Sequence, residues 1–344
     1  GQNMAISQRL HVAGDNAVFD TGASNVILTG GADGNSCLNK RGSGRLSLQS
    51  AASNDIGACV FEGTLSFNDE FDGKVWVYDG GVASGSGEID GNMDVYGVLA
   101  PGNSPGQLTV NGSVTQFAGS TLSLDIDGRT AGNGAGFHDQ LILAGADSVF
   151  TAGGTIAPIV RDITGDATNS YTPAIGSRHT VVIAEGGVTG TFDSILQPTS
   201  GMIGTSRFDV IYNPRNIILY VTPSDFGTMF GSGSMRNAAA VGAAIDDFRA
   251  SPGAITAGAG GALLSGLYPL NEVAVRRALE QASGGIHAAA TDSVMQTTRA
   301  SQASVSDRLN MAVHPETPLS RRIWGTITHD VNKVKGDEYG QGYR

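Results

Sequence analysis

Residues 97–112 read Gly97-Val98-Leu99-Ala100-Pro101-Gly102-Asn103-Ser104-Pro105-Gly106-Gln107-Leu108-Thr109-Val110-Asn111-Gly112. Leu108-Thr109-Val110 alternates apolar and polar, with turn formers on both sides: Pro105-Gly106 before it and Asn111-Gly112 after it. Period-2 alternation over so short a span is the pattern of a β-strand with one buried face. The same unit, a turn rich in Gly, Asn or Asp followed by a brief alternating strand, recurs through the first 150 residues. Leu46-Ser47-Leu48, Leu65-Ser66-Phe67, Val75-Trp76-Val77, Met93-Asp94-Val95, Leu122-Ser123-Leu124 and Leu141-Ile142-Leu143 are further copies. The steps between successive units are 19, 10, 18, 15, 14 and 19 residues. A strict short-period repeat is excluded. A solenoid with several strands per coil and loops of varying length is allowed, and so is a sandwich of many short strands.

Composition narrows the class. Of 344 residues 50 are Gly, roughly twice the usual share, and only 15% are charged. The glycines follow no G-X-Y period, which excludes collagen. An apolar content of 40% argues against disorder, and two cysteines are too few for a small disulfide scaffold. No apolar run is long enough for a transmembrane helix. The net charge of −11 lies wholly in residues 1–222, which hold 10 basic and 21 acidic residues; residues 223–344 hold 11 of each. With no basic cluster and an acidic surface that repels phosphate, no nucleic acid is expected as a partner. Gly1-Gln2-Asn3-Met4 shows neither a basic nor an apolar leader region, so no signal peptide is visible.

Longer strands follow at Thr180–Ala184, Phe208–Tyr212 and Ile217–Val221, with Asn213-Pro214-Arg215-Asn216 as a hairpin loop between the last two. This block reads as a module that caps the end of a solenoid, where the last edge must be covered. Composition changes at Pro223. Residues 237–250 are Ala-rich with helical spacing, and Asn271 reads as an N-cap with Glu272 well placed against the helix dipole. Pro223 to Asn271 is expected to be the most mobile part of the chain. A helical pattern then runs to about Ala312, broken at Gly284-Gly285. Its second part, 286–311, is polar nearly all round and about 39 Å long at the α-helical rise. Past Pro318, Ile323, Ile327 and Val331 alternate with Thr326, Thr328 and Asp330 in the manner of an outer-membrane barrel strand. Only one or two such strands fit before Arg344, and a barrel needs at least about 8.

In this order the pieces resemble the end of a type V bacterial autotransporter. Gly97 to Gly112, with Gly97, Pro101, Gly102, Ser104, Pro105 and Gly106, is similar to the recurrent passenger motif of that family. Ala118-Gly119-Ser120-Thr121-Leu122 and Asp139-Gln140-Leu141-Ile142-Leu143 follow in the family's order. Gly186 to Asp193 resembles another passenger stretch, Ala278 to Ala288 the linker before the barrel, and Arg322-Ile323-Trp324-Gly325 the barrel's first strand. The resemblance implies an all-β passenger folded as a right-handed parallel β-helix, with a C-terminal capping or autochaperone module, a helical linker and a truncated barrel start. It implies a stalk over 1–115, last rungs and an autochaperone-like cap over 116–222, a linker and pore-threading helix over 223–312, and the first barrel strand over 313–344. The autochaperone-like residues are Gly187, Gly190, Phe192, Tyr212 and Tyr220; Trp324 and Gly325 mark the barrel start. The implied partners are the outer-membrane barrel assembly machinery, periplasmic chaperones and a host-surface ligand, and the implied location is the outer membrane, the cell surface or the medium of a Gram-negative bacterium. Without signal peptide and full barrel, the chain is read as a fragment or an incomplete gene product. Cys37 and Cys59, 22 residues apart, are expected to stack in neighbouring coils and to form a disulfide in an oxidising compartment.

Catalytic motifs are few. Asp20-Thr21-Gly22-Ala23-Ser24 resembles an aspartic-protease loop, but that chemistry needs two carboxylates sharing a proton and no second copy exists. Gly102-Asn103-Ser104-Pro105-Gly106 fits G-x-S-x-G, yet a strand rather than a helix follows. Gly85-Ser86-Gly87 lacks the lysine and helix of a phosphate loop. The six histidines, His11, His138, His179, His287, His314 and His329, have no metal-ligand spacing. Asp33, Asp55, Asp69, Glu70 and Asp72 lack the nonapeptide repeat of calcium-binding β-rolls and read as turn carboxylates. No cofactor is expected. The sequence reading is therefore a non-catalytic stalk, autochaperone and translocation linker of a displayed or secreted passenger such as an adhesin. The alternatives are the stalk of an autotransporter whose protease or esterase domain lies upstream of residue 1, and a soluble β-solenoid binding module.

Overall fold

A computed structural model describes residues 3–14, 17–53, 56–231, 235–250 and 259–284, and within 294–306 positions 294–295, 298–299, 301–303 and 305–306. The described chain divides into two compact units: residues 1–224 with 252–271, and residues 225–251 with 272–344.

The first unit is built on three sheets of nine, ten and eight strands, which begin at Asn3–Ile6, Leu10–Val12 and Val18–Asp20. Every third strand in sequence joins the same sheet, so each coil of chain gives one strand to each. The fourth coil, for example, comprises Gly63–Phe67, Glu70–Asp72 and Val75–Val77. Neighbouring coils pair in parallel. This is the topology of a parallel β-solenoid, and eight described coils supply all three strands.

The alternating triplets all lie in strands, but in different sheets. Leu46, Leu65 and Leu122 belong to the nine-stranded sheet, Leu108 and Leu141 to the ten-stranded one, and Val75 and Met93 to the eight-stranded one. The uneven spacing thus arises from jumping between sheets. Within one sheet the order is clean: Leu46, Leu65, Ala83, Leu99, Leu122 and Ile156 stand opposite one another in register. All six are fully buried. Stacked at the inter-strand spacing of ~4.8 Å, such side chains bury one another, at about 1.5–3 kcal/mol for each large aliphatic residue.

Closure comes at Arg178–Ala184. This strand pairs in parallel with Gln140–Leu143 and antiparallel with Asn216–Pro223. Asn216–Pro223 pairs in turn with Ser206–Asn213 through the expected hairpin at Asn213–Asn216. Near the end of the 223–271 stretch lies a helix, α2 (Ala259–Leu267), that the sequence pattern does not announce. Leu264, Leu267 and Tyr268 are buried, and the Tyr268 ring lies 6.2 Å from that of Tyr220. Their i, i+3, i+4 spacing gives a short apolar stripe that the Gly and Ala content masks.

In the second unit, a 3-10 turn (Gly227–Phe230) packs with α1 (Arg236–Arg249) and α3 (Glu272–Ala282). Asp246 accepts the backbone N–H groups of Phe226 and Gly227 at 3.2 and 3.0 Å and binds Arg249 at 2.7 Å. Helix α3 begins directly after Asn271, as its capping residue predicts. The 286–311 helix falls mostly outside the described residues, though the described positions from 294 to 306 are helical. Trp324 and Gly325 lie outside the described residues.

Candidate functional site

Loops are the usual carriers of function on a repetitive scaffold. In the first five coils, the connection from the nine-stranded to the ten-stranded sheet takes two or three residues. It then lengthens: 102–106 in the sixth coil, 126–139 in the seventh and 160–177 in the eighth. These three loops meet at one corner, and the passenger-like motif lies in the first of them.

Buried carboxylates tie the corner together. Asp139 is 2% exposed; its oxygens accept the N–H groups of Gly106 at 2.6 Å and Asp125 at 2.7 Å. Burial, and then the neighbouring Asp125 charge, raise its pKa well above the usual carboxylate range. Burial likewise raises Asp125, against a hydrogen bond from the Ser104 hydroxyl. Asp127 behaves in the opposite way. Burial opposes its ionisation, but donors from Thr168, Gly136 and Asn169 outweigh burial and hold it below the usual range. Its Oδ1 accepts from the Thr168 hydroxyl and Asn169 N–H, and its Oδ2 from the Gly136 and Thr168 N–H groups. One carboxylate therefore pins two long loops to each other.

Glycine is required at the motif's turn. Gly102 has φ +90°, and a Cβ there would lie 2.3 Å from the Gly106 nitrogen. Gly97 precedes the strand Val98–Pro101, which Pro101 ends, and Ser104 adopts φ +65° with a cis bond to Pro105. Ser104 bonds to Asp125 and accepts from the Thr164 hydroxyl at 3.4 Å. The nearby His138 does not act on it: its ring nitrogens face the Gly128 and Thr180 carbonyls, each at 3.3 Å. The G-x-S-x-G letters thus form a strand–loop–strand corner, and among the described residues no histidine bonds to Ser104. Asp20 closes its own turn by accepting the Gly22 N–H at 2.7 Å.

The remaining candidates are dispersed. Cys37 and Cys59 form a disulfide with Cα atoms 6.0 Å apart. They are diagonal rather than superposed, since Cys37 stands opposite Gly57 and Cys59 opposite Asn39. A Cβ on Gly57 would meet the Trp76 ring at 3.3 Å and the Cys37 sulfur at 3.4 Å, so the glycine sits closely between them. Gly187 and Gly190 bound one strand of the eighth coil, pairing with Val149 and Ala152. The Phe192 N–H donates to the Tyr212 hydroxyl at 2.9 Å, and burial pushes the Tyr212 pKa up to about 12. Tyr220 packs on Tyr268. These residues sit around the cap, away from the disulfide in coils two and three. His11 pairs with Asp33 at 2.6 Å. Among the described residues no group of three or more His, Cys, Asp or Glu could hold a metal ion; His287, His314, His329 and Asp55 fall outside them. A groove of about 400 Å³ lies on the nine-stranded sheet, lined by Val98, Ala157, Ile159, Leu196 and Pro198.

Sequence reasoning missed the buried polar side chains. Lys40 is fully buried, and its ammonium donates to the carbonyls of Arg41, Gly42 and Glu62 at 2.8, 2.7 and 3.0 Å. His179 is fully buried beside His138. No periodic signal marks them, because each satisfies a local corner. Compared with known families and with curated proteins, the sequence matches no family model and no curated protein.

Proposed function

We propose that this chain is the C-terminal part of an autotransporter passenger, a right-handed β-helical stalk with an autochaperone cap and a translocation linker. The observation that carries the reading is the order of elements: eight parallel coils, an antiparallel hairpin closing the last one, then a helix-bearing segment. The solenoid serves as a non-catalytic spacer whose stacked ladders assemble coil by coil. Its last coil and hairpin supply a stable template for the coils upstream. In this reading the partners are the barrel assembly machinery, periplasmic chaperones and a ligand on a host surface, and the protein is displayed at or released from the cell surface.

Two measurements test it. With a signal peptide added and residues 313–344 replaced by a complete barrel, residues 1–222 should reach the cell surface and be shaved by external protease; retention in the periplasm overturns the reading. Deleting 171–222 should leave 1–150 protease-sensitive, and unchanged protection removes the autochaperone role.

A further inference from the structure

His179 lies in Arg178–Ala184, the strand at which parallel stacking gives way to antiparallel closure. It stands opposite Leu219 and is fully buried. Three rings surround it at centroid distances of 5.1 Å (His138), 5.9 Å (Tyr171) and 6.0 Å (Phe208). They come from the 126–139 loop, the 160–177 loop and the hairpin strand Ser206–Asn213. The Tyr171 hydroxyl is 3.2 Å from His179 Nε2. The charged groups that act on His179 are His138 and Arg129, and its buried Nδ1 has no hydrogen-bond partner among the described residues. His138 meets the backbone of Gly128, Thr130 and Thr180. Acids on the adjoining elements are turned to other partners: Asp139 to Gly106 and Asp125, Asp127 to Thr168 and Asn169, and Asp209 to Arg207 and Thr222.

We propose that the His138–His179 pair is an acid-sensitive latch: with both rings neutral the hairpin 206–223 seats on the last coil, and a proton on either ring unseats it while the upstream coils stay stacked. A buried imidazolium with no carboxylate beside it is costly, and a second cation 5.1 Å away raises the cost. Burial, then His138 and Arg129, push the His179 pKa down to about 3, and burial lowers His138 as well. The fold favours the neutral form, so this stabilisation is complete above the ordinary pKa near 6.5 and is lost as pH falls toward 3. For His179 alone, the fold's preference weakens about a hundredfold between neutral pH and about pH 4.5. That window lies above the range in which Asp127 takes up a proton. Asp125 and Asp139, with raised values, favour the folded state as pH falls and so act against the latch.

Hydrogen exchange on the full chain at pH 7 and at about pH 4.5, corrected for intrinsic rates, tests the latch. Protection over 206–223 should fall about a hundredfold while protection over 63–95 holds. His179→Phe, which fills the ring's space without titrating, should shrink the fall to the part that His138 alone supplies. If that variant does not fold, His138→Gln, which removes the second cation, should reduce it. Equal protection of the hairpin at both pH values, loss of hairpin and coils together, or an undiminished fall in a variant that folds overturns the proposal.

Discussion

Gln197 lies against Phe208 as a neighbouring strand would: its Nε2 donates to the Phe208 carbonyl and its Oε1 accepts the Phe208 N–H, both at 2.8 Å. Phe208 belongs to Ser206–Asn213, the outermost strand of the ten-stranded sheet. An open edge invites pairing with another chain, and a carboxamide in this position occupies it. Gln197→Ala should cost about 2 kcal/mol, the penalty of an unpaired donor and acceptor, and promote self-association. Denaturant melts and sedimentation velocity check both. Gln197→Glu, which can accept but not donate, should lose stability at neutral pH without restoring the plug.

Lys40 uses all three ammonium protons on backbone carbonyls inside a coil corner. Lys40→Met keeps the length and apolar stem but takes the ammonium donor from the Gly42 and Glu62 carbonyls, while the Arg41 carbonyl keeps its Thr21 donors. The expected loss is about 3 kcal/mol, read as a lower urea midpoint. An unchanged midpoint would show that water replaces the ammonium freely.

The disulfide closes a loop with a sequence separation of 22. A loop of that size contributes about 3 kcal/mol in the chain-entropy account. Reduction should lower the unfolding midpoint accordingly, and Cys37→Ser with Cys59→Ser should show the same midpoint with and without reductant. Thiol labelling of the denatured, non-reduced protein should find no free thiol.

Asp127 gathers four donors from two loops. Its folded pKa is lowered, so the stabilisation is present above the ordinary value of 3.8 and is lost as pH falls through the folded one. Asp127→Asn, which presents one acceptor oxygen in place of two, should free the 163–170 loop. Limited proteolysis should then cut there at neutral pH while the coils at 63–95 remain intact.

How far the fold can be read from sequence depends on the length of each strand. Leu65-Ser66-Phe67 announces itself because inward and outward residues differ in polarity. Ala32–Gly34 and Ala52–Ser53 are strands of three and two residues, too short to carry a period, and they pair only because the coils above and below place them. The hairpin at Asn213–Asn216 was legible because Pro and Asn interrupt two long apolar runs. The corner was not: Asp127, Asp139 and His179 acquire partners 41, 33 and 8 residues away, and no local pattern encodes such pairings. Gly102 to Gly106 drew attention as a motif, yet what organises that loop is a carboxylate from the following coil.

Lys40, Val60, Val77, Val95 and Gln116 occupy one inward column of the eight-stranded sheet, each opposite the next. Phe19 stands opposite Lys40 in the preceding coil, and within the column a buried ammonium and a buried carboxamide bracket three interchangeable valines. Sliding the chain by one coil would leave the valines content and place a charge where nothing neutralises it. Near-identical coils are prone to miscounting, and these two polar residues number them.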